Sequence, residues 1–196
     1  MKTIRAIIIL LSVPGSLVAQ AVSPAWTVTV GAAATEGGDY NARGAFVGEI
    51  VYDRLGSRAI GGYLALGYAP NGQSLAGDCV RLAALVASDL SGCSFRHFPG
   101  WTALTGGVST RWQYAHVAAG VRAGLGVIGY QERVTPDAGG NVEAGGYTIA
   151  GELGAEIAMA RRPGRLAPVV SARTLVFRGP HNVTLRAFPV GLGVRF

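Results

Sequence analysis

Phe188-Pro189-Val190-Gly191-Leu192-Gly193-Val194-Arg195-Phe196 alternates a large apolar residue with a small or basic one and finishes on an aromatic ring. A period of two with every large apolar residue on one side is the pattern of a β-strand. The opposite side is unusual, because Pro189, Gly191 and Gly193 are small rather than richly polar. A strand of a water-soluble sheet would carry Lys, Glu, Gln or Thr there.

The first residues read as a targeting segment. Lys2 and Arg5 form a positive start, Ala6–Leu11 is an apolar core, and Pro14 and Gly15 break it. Small residues over Ser16–Ala21 offer cleavage after Ala19, or alternatively after Ala21, so residues 1–19 are expected to be a signal peptide and 20–196 the mature domain. The apolar stretch is shorter than the roughly 20 residues of a membrane-spanning helix. Removing residues 1–19 takes away two basic and no acidic residues, leaving 15 basic against 11 acidic groups and a net charge of +4. That balance, with no run of Lys or Arg, does not indicate a nucleic-acid partner. Charged residues make up 14% of the chain, against about 25% in a typical soluble domain. An exported chain that is apolar, poor in charge and without a spanning helix satisfies its backbone in lipid only as a closed barrel.

Eight segments alternate: Trp26–Ala34, Arg43–Tyr52, Ile60–Tyr68, Thr102–Trp112, His116–Tyr130, Tyr147–Met159, Leu166–Phe177 and Val183–Phe196. The seventh alternates less cleanly and its facing stays open. Segments of about 10 alternating residues separated by turn residues are the signal of a transmembrane barrel. The fold expected is therefore all-β, an eight-stranded antiparallel up-and-down transmembrane β-barrel. Cys79–Ser88 and Cys93–Phe98 could add two strands and make ten, but the second is short and polar.

With Phe188, Val190, Leu192, Val194 and Phe196 as its final ladder, the chain resembles the small outer-membrane β-barrels of Gram-negative bacteria, such as the OmpA transmembrane domain, OmpX and the Ail-type adhesins. The resemblance covers almost all of the mature chain and rests on strand grammar, not on a loop motif. It implies a place in the bacterial outer membrane among its lipids, lipopolysaccharide included. It also implies escort by periplasmic chaperones and insertion by the barrel-assembly machinery, which would read the last strand.

The connections fit that orientation. If the first strand starts in the periplasm, the periplasmic turns are Asp53–Ala59, Gln113–Ala115 and Ala160–Arg165. The outer loops are then Thr35–Ala42, Ala69–Trp101, Gln131–Gly146 and Arg178–Asn182. Short turns on one side and mostly longer loops on the other are expected of such barrels. Aromatics sort to strand ends, with Trp26, Tyr52, Trp112, Tyr114 and Phe196 at the periplasmic rim and Phe46, Tyr68, Trp101, Tyr130 and Tyr147 at the outer rim. Amphipathic rings belong at the two lipid–water boundaries.

The faces opposite the apolar rungs carry Gly, Ala, Ser and a few ions. Glu49, Arg122, Glu152, Glu156 and Arg173 fall near mid-depth, Arg111 and Arg195 near the periplasmic end, and Arg43 and Arg186 near the outer end. Arg facing lipid at mid-depth costs about 2–4 kcal/mol, so these groups are expected to point inward and pair across strands. An eight-stranded barrel is just wide enough for side chains to fill, which predicts a lumen plugged by an Arg–Glu network.

Gly124-Leu125-Gly126-Val127-Ile128-Gly129 matches the dinucleotide fingerprint, but Tyr130, Gln131, Glu132 and then Pro136 follow it instead of a helix. Cys79 and Cys93 are the only cysteines, and in an exported chain they are expected to form a disulfide in the long outer loop. No metal site, cofactor or catalytic residue is expected, since His97, His116 and His181 are dispersed. Asn182-Val183-Thr184 fits a glycosylation sequon, though a tight turn accounts better for Asn182. Three functional classes follow: a structural or surface-binding barrel acting through its loops on an extracellular ligand, a narrow gated channel, and, least supported, a lipid A-modifying enzyme. The ligand, the conductance and the oligomeric state are not encoded in any motif.

Overall fold

The computed structural model describes residues 24–37, 40–55, 60–70, 73–74, 95–97, 100–114, 116–136, 142–159, 166–179 and 182–196. The expected signal peptide and both Cys79 and Cys93 lie outside the described residues. The strands in chain order are β1 (Ala25–Gly37), β2 (Tyr40–Leu55), β3 (Ile60–Ala69), β4 (Gln73–Ser74), β5 (Phe95–His97), β6 (Gly100–Tyr114), β7 (Val117–Pro136), β8 (Val142–Met159), β9 (Ala167–Arg178) and β10 (Thr184–Arg195).

Eight of them close an antiparallel barrel in which each long strand pairs with the next, and β10 returns to β1. The closing seam runs from Thr27↔Arg195 to Glu36↔Arg186, and Trp26 and Phe196 extend it by exchanging backbone hydrogen bonds of 2.9 Å. β4 and β5 are short and do not join the wall. They bridge the outer ends of β2 and β7, through Ala42↔Ser74, Ser74↔His97 and His97↔Val134. β5 lies inside the second ten-strand candidate, Cys93–Phe98, yet the barrel count is eight.

The packing is inside out. Leu125 is 68% exposed, Ile149 72% and Leu192 65%, while Glu49, Arg122, Glu152 and Arg173 are buried. Along β10, Val190, Leu192, Val194 and Phe196 point out, and Pro189, Gly191 and Arg195 are buried. β9, whose facing the sequence leaves open, buries Ala167, Val169, Ser171, Arg173, Leu175 and Phe177. From Thr102 to Trp112 the outward side of β6 spans ten steps. At about 3.3 Å each and a tilt of about 40° this covers roughly 25 Å, the height of the apolar band of a transmembrane barrel.

Several strands outrun their sequence estimates. β7 continues to Pro136 and β8 starts at Val142, so the connection between them is shorter than Gln131–Gly146. β2 continues through Leu55, which moves Asp53 out of the expected turn and into the paired wall, opposite Ala25 and Tyr63. Backbone pairing persists where the apolar alternation has ended, because hydrogen bonding does not need a lipid-facing side chain. Asn182, at φ 62°, adopts the left-handed turn conformation that Asn tolerates.

Leu153 stands on the outward side of β8, midway between Tyr147 and Met159, and is 64% exposed. In water, Leu153→Arg would change stability by no more than about 0.5 kcal/mol. In a bilayer it should cost about 2–4 kcal/mol, measured as a shift of the urea midpoint for folding into lipid vesicles.

Candidate functional site

The inward side chains form a polar zone in the middle and periplasmic parts of the lumen. Its upper layer joins Glu49 on β2, Arg122 on β7, Glu152 on β8 and Arg173 on β9. Arg122 Nε donates to Glu152 Oε1 at 2.7 Å, and its terminal nitrogen donates to Glu49 across the lumen. Arg173 Nη1 lies 3.1 Å from Glu49 and 3.8 Å from Glu152. Thr105 on β6 donates its hydroxyl to Glu152 as well.

The lower layer joins Asp53, Arg111, Glu156 and Arg195. Arg111 Nη2 reaches Asp53 Oδ2 at 2.9 Å and Glu156 Oε1 at 3.2 Å. Arg195 pairs with Glu156, lies 4.0 Å from Asp53 and donates from Nε to Thr27 Oγ1 at 3.0 Å. Among the described residues, each layer therefore balances two cations against two anions. Buried charges persist only with such partners.

Register and glycine make the room. Arg122 stands directly across from Gly154, which stands across from Arg173; Glu152 is the diagonal neighbour of Arg122. A Cβ at Gly154 would lie 2.9 Å from Arg122 Nε, and one at Gly67 would collide with the Arg173 guanidinium. Tyr63 and Trp101 line the same layer, with Arg122 Cζ 5.5 Å from the Tyr63 ring centre and Arg173 Cζ 5.6 Å from that of Trp101. At these distances each ring face attracts the cation above it.

The outer half of the lumen is different in kind. Val47, Trp101, Ile128, Leu175, Phe177 and Leu185 are buried together, with Ala residues between them and Tyr130 and Val183 packed against the cluster. This apolar layer corrects the expectation of an inward face made of Gly, Ala, Ser and ions. Its signal was present as inward positions with large residues on β7, β9 and β10.

Of the five mid-depth ions expected in one network, Glu49, Arg122, Glu152 and Arg173 come together. Glu156 joins Arg111 and Arg195 instead, one layer lower, with Asp53, which the sequence reading assigned to a turn. Arg186 is corrected: it lies on the outward side, exposed, and pairs in register with Glu36 on β1. Arg43, at the outer end of β2, is in register with Gln73 on β4, and its side chain lies outside what is described.

The outward aromatics are Trp26, Phe46, Tyr68, Tyr147 and Phe196, with Tyr52 half-buried against Trp26 at 4.9 Å between ring centres and Trp112 also half-buried. Trp101 is corrected: it is 3% exposed and sits inside the barrel, not in an outer girdle. Tyr130 likewise turns to the inner side and packs on the apolar cluster. Both follow from the two-residue alternation, since Thr102 and Leu104 face out on β6 and Val127 and Gly129 do so on β7. Ser109 is buried in the lumen while His116 is exposed at the β6–β7 turn. Among the described residues no three metal-capable side chains converge.

No protein-family model and no curated protein sequence matches the chain. Solved structures do. The attachment invasion locus protein Ail of Yersinia pestis superimposes with a TM-score of 0.55 at 11% identity, covering 90% of this chain and 100% of its own. Ail in complex with the heparin analogue sucrose octasulfate gives a TM-score of 0.53 at 12% identity, over 89% and 99%. Neisserial surface protein A gives 0.50 at 13% identity, over 90% and 98%. At these identities the likeness is one of architecture, and it identifies the chain as having the fold of the small eight-stranded outer-membrane barrels.

Proposed function

We propose that this chain is an integral outer-membrane protein with a closed lumen, exported through a cleaved signal peptide and acting at the outer surface through its loops. The observation that carries this reading is the inversion of packing: a continuous belt of exposed Leu, Ile, Val and Met encloses paired, buried ions. Water would penalise that belt, and hydrocarbon would not. Phe188, Val190, Leu192, Val194 and Phe196 on β10 are the residues we assign to recognition by the assembly machinery.

Closure has two contributions in series. The ion layers fill the middle and periplasmic parts, and the apolar cluster around Ile128, Leu175 and Phe177 fills the outer part. An apolar constriction excludes ions by dewetting even where charged groups lie beneath it.

The loops favour a particular class of partner. The stretches Thr35–Ala42, Ala69–Trp101, Gln131–Gly146 and Arg178–Asn182 contain seven acidic and four basic residues. A net charge of −3 there suits a basic protein or peptide and repels a sulfated glycan. Ail, by contrast, has been crystallised with a heparin analogue.

Three outcomes are expected. The mature polypeptide should aggregate in plain buffer and become monodisperse and β-rich in detergent; monodispersity without detergent in size-exclusion chromatography would overturn the membrane reading. In planar bilayers the wild type should be electrically silent. Arg122→Ala, which leaves Glu49 and Glu152 without their partner, should lose about 3–5 kcal/mol of stability and still conduct nothing; step conductance from the wild type would favour the channel instead. Sucrose octasulfate at low ionic strength should produce no titration heat with the detergent-solubilised protein.

A further inference from the structure

The two ion layers do not pair with each other. Among the described residues every salt bridge of the lumen stays within its own layer. At their junction two inward rows run in register across β6, β7 and β8. The upper row is Ser109, Arg122 and Gly154, and the lower row is Arg111, Gly120 and Glu156. Gly120 and Gly154 stand diagonally to each other and bring no side chain to the lumen. A cavity of about 10 Å³ lies beside them, lined also by Asp53, Ser109, Arg111, Arg122 and Glu156.

Three buried polar atoms of this lining find no hydrogen-bond partner among the described residues: Asp53 Oδ1, Ser109 Oγ and Arg111 Nε. Asp53 presents its other oxygen, Oδ2, to Arg111 at 2.9 Å. Arg111 uses Nη2 for both Asp53 and Glu156, the latter at 3.2 Å, which leaves Nε over. The Asp53 side chain is 4% exposed and Ser109 7%, so neither turns to bulk water. Buried polar groups seldom stay unpaired, because leaving one so is costly.

The three atoms ask for different things. Arg111 Nε only donates, Asp53 Oδ1 only accepts, and the Ser109 hydroxyl does either. The charges around the cavity cancel, with Arg111 and Arg122 against Asp53 and Glu156. A bare cation would meet two guanidinium groups there, and an anion two carboxylates. A small neutral dipole that both donates and accepts meets neither obstacle. The room suits one molecule the size of water.

We propose that this cavity is a binding site for a single water molecule, seated between the two ion layers. The water accepts from Arg111 Nε, donates to Asp53 Oδ1 and pairs with the Ser109 hydroxyl. Three hydrogen bonds are typical of a buried water. It completes the lower layer and fills the gap beneath Arg122.

The site rests on the closed lumen proposed above, because a conducting pore would hold mobile water there instead. A crystal structure of the mature protein, grown from detergent with sodium bromide, should show one density peak about 2.7–3.2 Å from all three atoms. The peak should lack the anomalous signal of bromide. Ser109→Val puts two methyl groups where the hydroxyl stood. Its peak should vanish, and its equilibrium constant for folding into lipid vesicles should fall about tenfold or more, since Arg111 Nε and Asp53 Oδ1 lose their partner. Ser109→Ala keeps the room and two partners, so its peak should remain and its loss should be smaller. If Ser109→Val does not fold, the wild-type and Ser109→Ala crystals decide. No peak in the wild type, a bromide signal at the site, or a Ser109→Val protein as stable as the wild type overturns the site while silent planar bilayers leave the closed lumen standing. Step conductance from the wild type overturns both.

Discussion

Hydrocarbon offers no hydrogen-bonding partner, so a strand crossing it must have both edges paired. This one requirement dictates closure: the seam between β1 and β10 removes the last free edges, and the remaining features follow from it. Once the sheet is closed, its two sides meet opposite solvents. The outer side presents Leu125, Ile149, Leu153 and Leu192 to the surroundings. The inner side is too narrow for bulk water and must satisfy whatever polar groups it holds. The four arginines and four acids of the lumen pair with one another in two layers.

The layers also show why glycine is frequent on the inward side. An eight-stranded barrel has little lumen to share, so each guanidinium that enters must displace a side chain elsewhere. Gly154 yields its place to Arg122 and Gly67 to Arg173. On β7, Gly124 of the nucleotide-like fingerprint makes room for Tyr63, and Gly120, which precedes that motif, makes room for Glu156. Above these layers polarity stops, and Ile128, Leu175 and Phe177 pack as they would in a soluble core.

Much of this was legible in the chain, because alternation is a local property and lipid makes it conspicuous. Eight strands, their outward rungs and the inward ions on β2, β7 and β8 can be read from period two alone. The diagonal contact of Arg122 with Glu152 follows from a hairpin. Contacts across the lumen do not: Glu49 meets Arg122 over a separation of 73 residues, and no local pattern encodes which strands face one another. Asp53 was hidden because turn composition begins before pairing ends. Strand extensions such as Gln131–Pro136 were hidden because alternation fades once the outward side leaves lipid. Trp101, Tyr130 and Arg186 are instructive in another way. Their inward or outward sense follows from parity, but ring chemistry and charge suggested the opposite side.

The seam between β1 and β10 joins positions far apart in the chain: Arg195 donates to Thr27 across 168 residues. The amino-terminal strand therefore has no lasting partner on that side while the chain is still being made. Neighbouring strands can pair in chain order, but the β1–β10 seam cannot close before the last strand is made. The polypeptide must be delivered whole and kept from pairing with other copies of itself until both ends reach the same place, so the architecture builds a waiting period into its own biogenesis.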